Sequence, residues 1–82
     1  MRSAEQLRAA RALLGWNQEQ LAQSSGVGVA TIRRMEGQSG QLRGITDTIW
    51  RLQTCLEQAG IVFIPESDGQ GPGVRLARPP RP

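Results

Sequence analysis

The sequence predicts a mainly α-helical fold of four short helices followed by a C-terminal β-hairpin. Two observations lead there. Between residues 3 and 59, apolar residues recur three and four positions apart in four stretches, most of them ended by a glycine. After Gly60 the period changes to two, in two short runs on either side of a stretch rich in turn residues. The length, 82 residues, suits one small domain. A chain of this size buries only about 60% of its unfolded surface, so its core is thin.

The first helix is expected to start after Ser3, which with Gln6 fits a capping box, and Glu5 suits the positive end of its first turn. Leu7, Ala10 and Leu14 form its apolar side, Arg8 and Arg11 lie one turn apart, and Gly15 stops it. Asn17 and Gln20 repeat the capping-box spacing at the start of a second helix, which carries Leu21 and Ala22 inward and ends at Gly26. A third helix spans Val29 to Glu36, with Gly28 as a poor N-cap, Ile32 and Met35 inward, and Gly37 closing it.

Residues 37–44 read as a flexible polar loop with three glycines. In the fourth helix Ile45, Ile49, Leu52, Leu56 and Ala59 make one stripe, and Gly60 ends it. Ile61–Ile64 and Val74–Ala77 have strand character, and residues 65–73 between them are all turn chemistry. The expected organisation is a helical domain over 1–60, a hairpin over 61–78 and a disordered basic tail over 79–82.

Composition narrows the function. The chain has no histidine, no tyrosine, no lysine and a single cysteine, Cys55, against ten arginines and seven acids, for a net charge of +3. No Cys/His metal site is possible, the commonest general base is missing, and no lysine can form a Schiff base. An enzyme is not expected, nor a cofactor or a metal. The absence of any disulfide pair fits a reducing cytoplasm, and no apolar run has the length of a membrane span. The expectation is a small basic binding module.

Residues 17–37 carry the strongest signal, two short helices joined by a tight turn at Gly26, with Leu21, Ala22, Val27, Ile32 and Met35 placed to fix the angle between them. That is the spacing of a helix-turn-helix, whose second helix can enter the major groove of DNA. Small helical domains also use this arrangement without meeting DNA. The stretch from Arg11 to Gly37 resembles the Cro/C1-type (XRE, lambda-repressor-like) family of bacterial and phage regulators. Gln18, Leu21, Ala22, Gly26, Thr31, Ile32, Glu36 and Gly37 match its pattern. The resemblance covers about residues 3–60, and the tail from Gly60 to Arg78 is similar to a group of very small bacterial regulators of this class.

The resemblance implies a sequence-specific, double-stranded-DNA-binding regulator in the bacterial cytoplasm, with the third helix as recognition helix. Val29, Ala30, Thr31, Arg33 and Arg34 would meet bases. Arginine can donate two hydrogen bonds to guanine, while Val29 and Ala30 offer apolar contact to thymine methyl groups. Arg34 is assigned a base and Arg33 a phosphate or mixed contact, although both also suit a solvated face. Asn17 and Gln18 would bind phosphate at a helix N-terminus while also capping it. Gly28, Gln38, Ser39, Gln41 and Arg43 would follow the DNA backbone. Arg11 and Glu36 match a family salt bridge that would orient Arg11 toward phosphate. The family usually caps the third helix with serine or threonine. Gly28 and Val29 depart from that polarity, which shifts part of the specificity to DNA shape.

A homodimer on a palindromic operator is expected. Ile61 and Phe63 face one way and Val62 and Ile64 the other, so both faces of the first strand are apolar, and a lone hairpin is not stable. With Val74, Leu76 and Trp50 these residues form the expected dimer surface. Trp16 and Trp50 are both expected in the core or the dimer contact, and Cys55 as a small buried residue. A repressor is preferred because blocking a promoter needs only binding. The alternative is an antitoxin that also regulates its own operon, with a protein partner at the hairpin and tail; sequence-independent or RNA binding is a third reading.

Overall fold

Local capping chemistry sets the starts of the first two helices. In the computed structural model, which describes residues 1–79, α1 spans Ala4–Leu14. The Ser3 hydroxyl accepts the Gln6 N–H at 3.0 Å, and the Gln6 side chain accepts the Ser3 N–H in return at 3.2 Å. α2, Gln18–Ser25, starts with the same reciprocal pair between Asn17 and Gln20, 2.8 Å in each direction. α3 is Val29–Glu36, and its N-cap Gly28 supplies no side-chain hydrogen bond. α4 is Thr46–Gln58, followed by β1, Ile61–Ile64, and β2, Gly73–Leu76.

Leu7, Leu21, Ile32, Leu52 and Leu56 are wholly buried, one or two from each of the four helices. Ala4, Ala10, Val27, Met35, Leu42 and Ile61 complete the core. The strands pair antiparallel, with Ile61 opposite Leu76, Val62 opposite Arg75, Phe63 opposite Val74 and Ile64 opposite Gly73. Phe63, Val74 and Leu76 pack on the helical core beside Ile61, so the hairpin and the helices share one interior. Buried Gln6 secures the far end of the hairpin, donating from Nε2 to the carbonyls of Ile64 at 3.3 Å and Gly73 at 3.0 Å. All its amide valences are spent between the N-terminal segment and the strands, which is how a buried amide avoids a desolvation cost.

Four expectations change. Ile45 does not begin the apolar stripe of α4: it is the N-cap, extended in backbone and 73% exposed. Trp50 is not a core residue, being 61% exposed on α4, whereas Trp16 does pack against the core. The loop over 37–44 is not free. Ala4 donates to the Gly40 carbonyl at 2.9 Å, Leu42 donates to the Arg2 carbonyl at 2.7 Å, and the Leu42 side chain is buried. The second strand begins at Gly73 and ends at Leu76, one residue earlier than expected at each end. Cys55 is half-buried against the core, and burial pushes its thiol up. Of the expected tail, residues 80–82 lie outside the described residues.

Candidate nucleic-acid interface

Two left-handed glycines shape the helix-turn-helix. Gly15 (φ 68°) turns the chain from α1 toward α2, and Gly26 (φ 74°) turns it from α2 toward α3. Val27 then drops into the core between the two helices, its N–H held by Ser25 Oγ at 3.2 Å. α3 buries Ile32, Met35 and Glu36, which leaves Ala30, Arg33 and Arg34 exposed and Val29 and Thr31 half-buried. The guanidinium groups of Arg33 and Arg34 have no ion pair or hydrogen bond among the described residues. The helix thus offers two uncompensated cations, a turn apart from small Ala30, on the face opposite its buried side.

Behind this face lies one buried carboxylate. Glu36, 6% exposed, accepts Arg11 Nε and Nη2 in a fork at 2.8 Å on each oxygen. Arg11 Nη1 donates to the Trp16 carbonyl at 2.8 Å, and Gln18 Nε2 donates to Glu36 Oε1 at 3.2 Å. One carboxylate therefore ties α1, the start of α2 and the end of α3 together. Burial by itself would push the Glu36 carboxyl up. The hydrogen bonds from Arg11 and Gln18, with the charges of Arg11 and Arg8, overcome it and hold the group below the usual carboxylate range. The same pairing raises Arg11 above its ordinary value.

The remaining expected phosphate contacts divide by what already engages them. Asn17 and Gly28 are exposed at the N-termini of α2 and α3, with Asn17 Oδ1 committed to capping. The Gln38 amide is turned into the loop: it donates to the Arg43 carbonyl at 3.2 Å and accepts the Arg43 N–H at 2.9 Å. The Ser39, Gln41 and Arg43 side chains are exposed. Arg11 has two of its five N–H groups left beyond the fork and the Trp16 carbonyl.

The expected dimer residues separate onto two sides of the hairpin. Ile61, Phe63, Val74 and Leu76 turn to the protein's own core, and Ile61 has only 3% of its surface left. Val62 and Ile64 alternate to the other face beside Arg75, and Ile64 is exposed.

Sequence reasoning missed Arg8. Its Nη1 donates to the carbonyls of Glu36 and Gln38, the latter at 3.2 Å, and its Nη2 lies 3.4 Å from Glu5 Oε2. The available signal was the spacing of Glu5 and Arg8, three apart on one helix, with Arg11 a turn later. Leu42 was missed too, although it is the lone large apolar residue between Gly37 and Gly44. No described helix is long and apolar enough to cross a membrane.

Residues 7–36 match a family model described as helix-turn-helix, a span that runs from Leu7 of α1 to the last residue of α3. No curated protein matches the chain.

Proposed function

Residues 7–36 belong to the Cro/C1-type helix-turn-helix family, and from that premise we propose that the protein is a transcriptional repressor that reads a palindromic operator as a homodimer. The observation that carries the reading is the pair Arg33 and Arg34, exposed and without partners among the described residues, on a helix whose other side is fixed by the Glu36 cluster. A rigid helix presenting free guanidinium forks suits guanine O6 and N7 in the major groove, with Ala30 and Val29 allowing close approach. Thr31, half-buried beside them, lines the groove side. Asn17, Gln18, Gly28 and the loop residues Gln38, Ser39, Gln41 and Arg43 follow the phosphates on either side, with the spare N–H groups of Arg11.

A single domain of this size reaches about half an operator, so a second copy supplies the other half, with recognition helices about 34 Å apart. The surface left for that contact is Trp50 with Val62 and Ile64, since Ile61, Phe63, Val74 and Leu76 support the contact from within.

Selection from a random duplex pool tests the reading. Enrichment of a two-fold symmetric sequence, resistant to an excess of unrelated duplex, is the expected result. Equal competition by any duplex overturns operator recognition, and a monomer in sedimentation at high concentration, with and without the selected duplex, overturns the homodimer.

A further inference from the structure

The loop that leaves α3 is braced by two charged groups of α1. Arg8 on α1 reaches across to the carbonyls of Glu36 and Gln38, the last residue of the helix and the second beyond it. The Glu36 carbonyl at the end of the helix carries partial negative charge and lacks an intrahelical partner, and the two N–H groups of Arg8 Nη1 satisfy it together with the Gln38 carbonyl. Glu5, one turn earlier on α1, pairs with Arg8 at 3.4 Å and also accepts the Gly40 N–H, 3.1 Å from Oε1 and 3.2 Å from Oε2. The chain of contacts continues into the loop through Gln38. Its backbone is held by Arg8, and its side chain makes the reciprocal pair with the backbone of Arg43.

We propose that Arg8, together with Glu5, is a positioning residue for DNA binding: it holds the segment from Gln38 to Gly40, and through the Gln38 amide it sets where Arg43 stands against the phosphate backbone. This rests on the operator-binding reading above. Although 41% of the Arg8 side chain stays exposed, its Nη1 is committed to two carbonyls and its Nη2 lies against Glu5, so Arg8 acts through Arg43 and not as a phosphate contact of its own. The cost of ordering a glycine-rich loop is thereby met in the free protein rather than at the moment of binding.

A double-mutant cycle in the full chain tests it, read as the dependence of operator affinity on salt, which counts phosphate contacts. Arg43→Ala is expected to lower the slope of log K against log salt by about 1. Arg8→Met, which keeps the aliphatic stem, is expected to lower it by about the same amount, and the double variant by no more than either alone. Additive losses make Arg8 an independent contact and overturn the proposal, as does an Arg8→Met protein that keeps the wild-type slope. If Arg8→Met does not fold, Arg8→Gln, which removes the charge and is too short to reach both carbonyls, enters the same cycle with the same expectations. Amide exchange at Gly40 in the free protein separates the two levels of the argument: it is expected to quicken in Arg8→Met whether or not DNA binds. Unchanged exchange overturns the brace itself. Quickened exchange with no wild-type operator binding overturns the functional reading, and the positioning role falls with it.

Discussion

Arg11 and Glu36 meet as a planar fork, 2.8 Å along each arm, across the gap between α1 and the end of α3. The pair lies at unequal depth, with 22% of the Arg11 side chain exposed and 5% of Glu36. Removing the cation therefore strands a buried carboxylate whose one remaining side-chain donor among the described residues is Gln18. Arg11→Met is expected to cost about 3 kcal/mol in urea unfolding. The double variant Arg11→Met with Glu36→Met should lose much less than the sum of the single losses, because no charge is left buried. Additive losses would show that the two groups act separately.

Acid should weaken the fold through the same carboxylate. Glu36 titrates below its ordinary range because hydrogen bonds from Arg11 and Gln18 outweigh burial. A depressed carboxylate contributes stability above its unfolded pKa, near 4.3, and that contribution is lost as the pH falls through the lower folded value. Glu5 adds in the same direction, held down first by the Gly40 N–H, next by its own backbone N–H and less by Arg8. Urea midpoints are therefore expected to be flat near neutrality and to fall below about pH 4.3. Glu36→Gln should be less stable at neutral pH and show a shallower acid limb. An unchanged limb in that variant would remove Glu36 as its source.

Periodicity and glycine placement made the four helices and the hairpin legible, because these signals lie within a few residues of the elements they mark. Both capping boxes, at Ser3 with Gln6 and Asn17 with Gln20, are local in this sense. What the sequence hid is long-range. Leu42 sits in a run of polar residues, and only its closure onto Arg2 makes it a core residue. The apolar spacing of α4 also invited Ile45 into the stripe, although a residue at the N-cap precedes the helical screw and points elsewhere. On the candidate interface, the exposure of Arg33 and Arg34 followed from the inward pair Ile32 and Met35, since a helix has only one buried side. The role of Arg8 did not, because its partners are backbone carbonyls 28 and 30 residues away, and a carbonyl has no residue type to recognise.

The turn between α2 and α3 should tolerate substitution in opposite senses at its two glycines. Gly26 has a φ of 74°, and a Cβ there would meet nothing within 4 Å, so the cost of Gly26→Ala is backbone strain alone, about 1 kcal/mol. Gly28 is extended, equally open, and caps α3 without a side chain. Gly28→Ser should stabilise by a few tenths of a kcal/mol, roughly the difference between serine and glycine caps. Thermal melts of the two variants would show it, and a stabilising Gly26→Ala would contradict the left-handed turn.

Two residues on α4, two apart, should behave as opposites. Leu52 is wholly buried, and Leu52→Ala is expected to cost about 2–5 kcal/mol. Trp50 is 61% exposed, so Trp50→Ser should change the stability of the monomer by less than about 1 kcal/mol. Its effect belongs to self-association: sedimentation is expected to show a weaker dimer in Trp50→Ser and an unaltered one in Arg51→Ser. Equal dimerisation by the Trp50 variant and wild type would move the contact elsewhere.

Arg34 and Arg43 are both exposed, yet they should fail differently on DNA. Arg34 stands on the open face of α3, where a bidentate contact to one guanine discriminates among bases. Arg34→Ala should cost about 1–3 kcal/mol on the selected operator and relax preference at a single position of each half-site. Arg43 lies in the braced loop, where only phosphate is within its chemistry, so Arg43→Ala should weaken selected and unrelated duplexes by the same factor. Affinities on a panel of single-base operator variants separate the two patterns. A uniform loss with Arg34→Ala would demote it from base reader to phosphate contact and pass the base-reading role on α3 to Arg33.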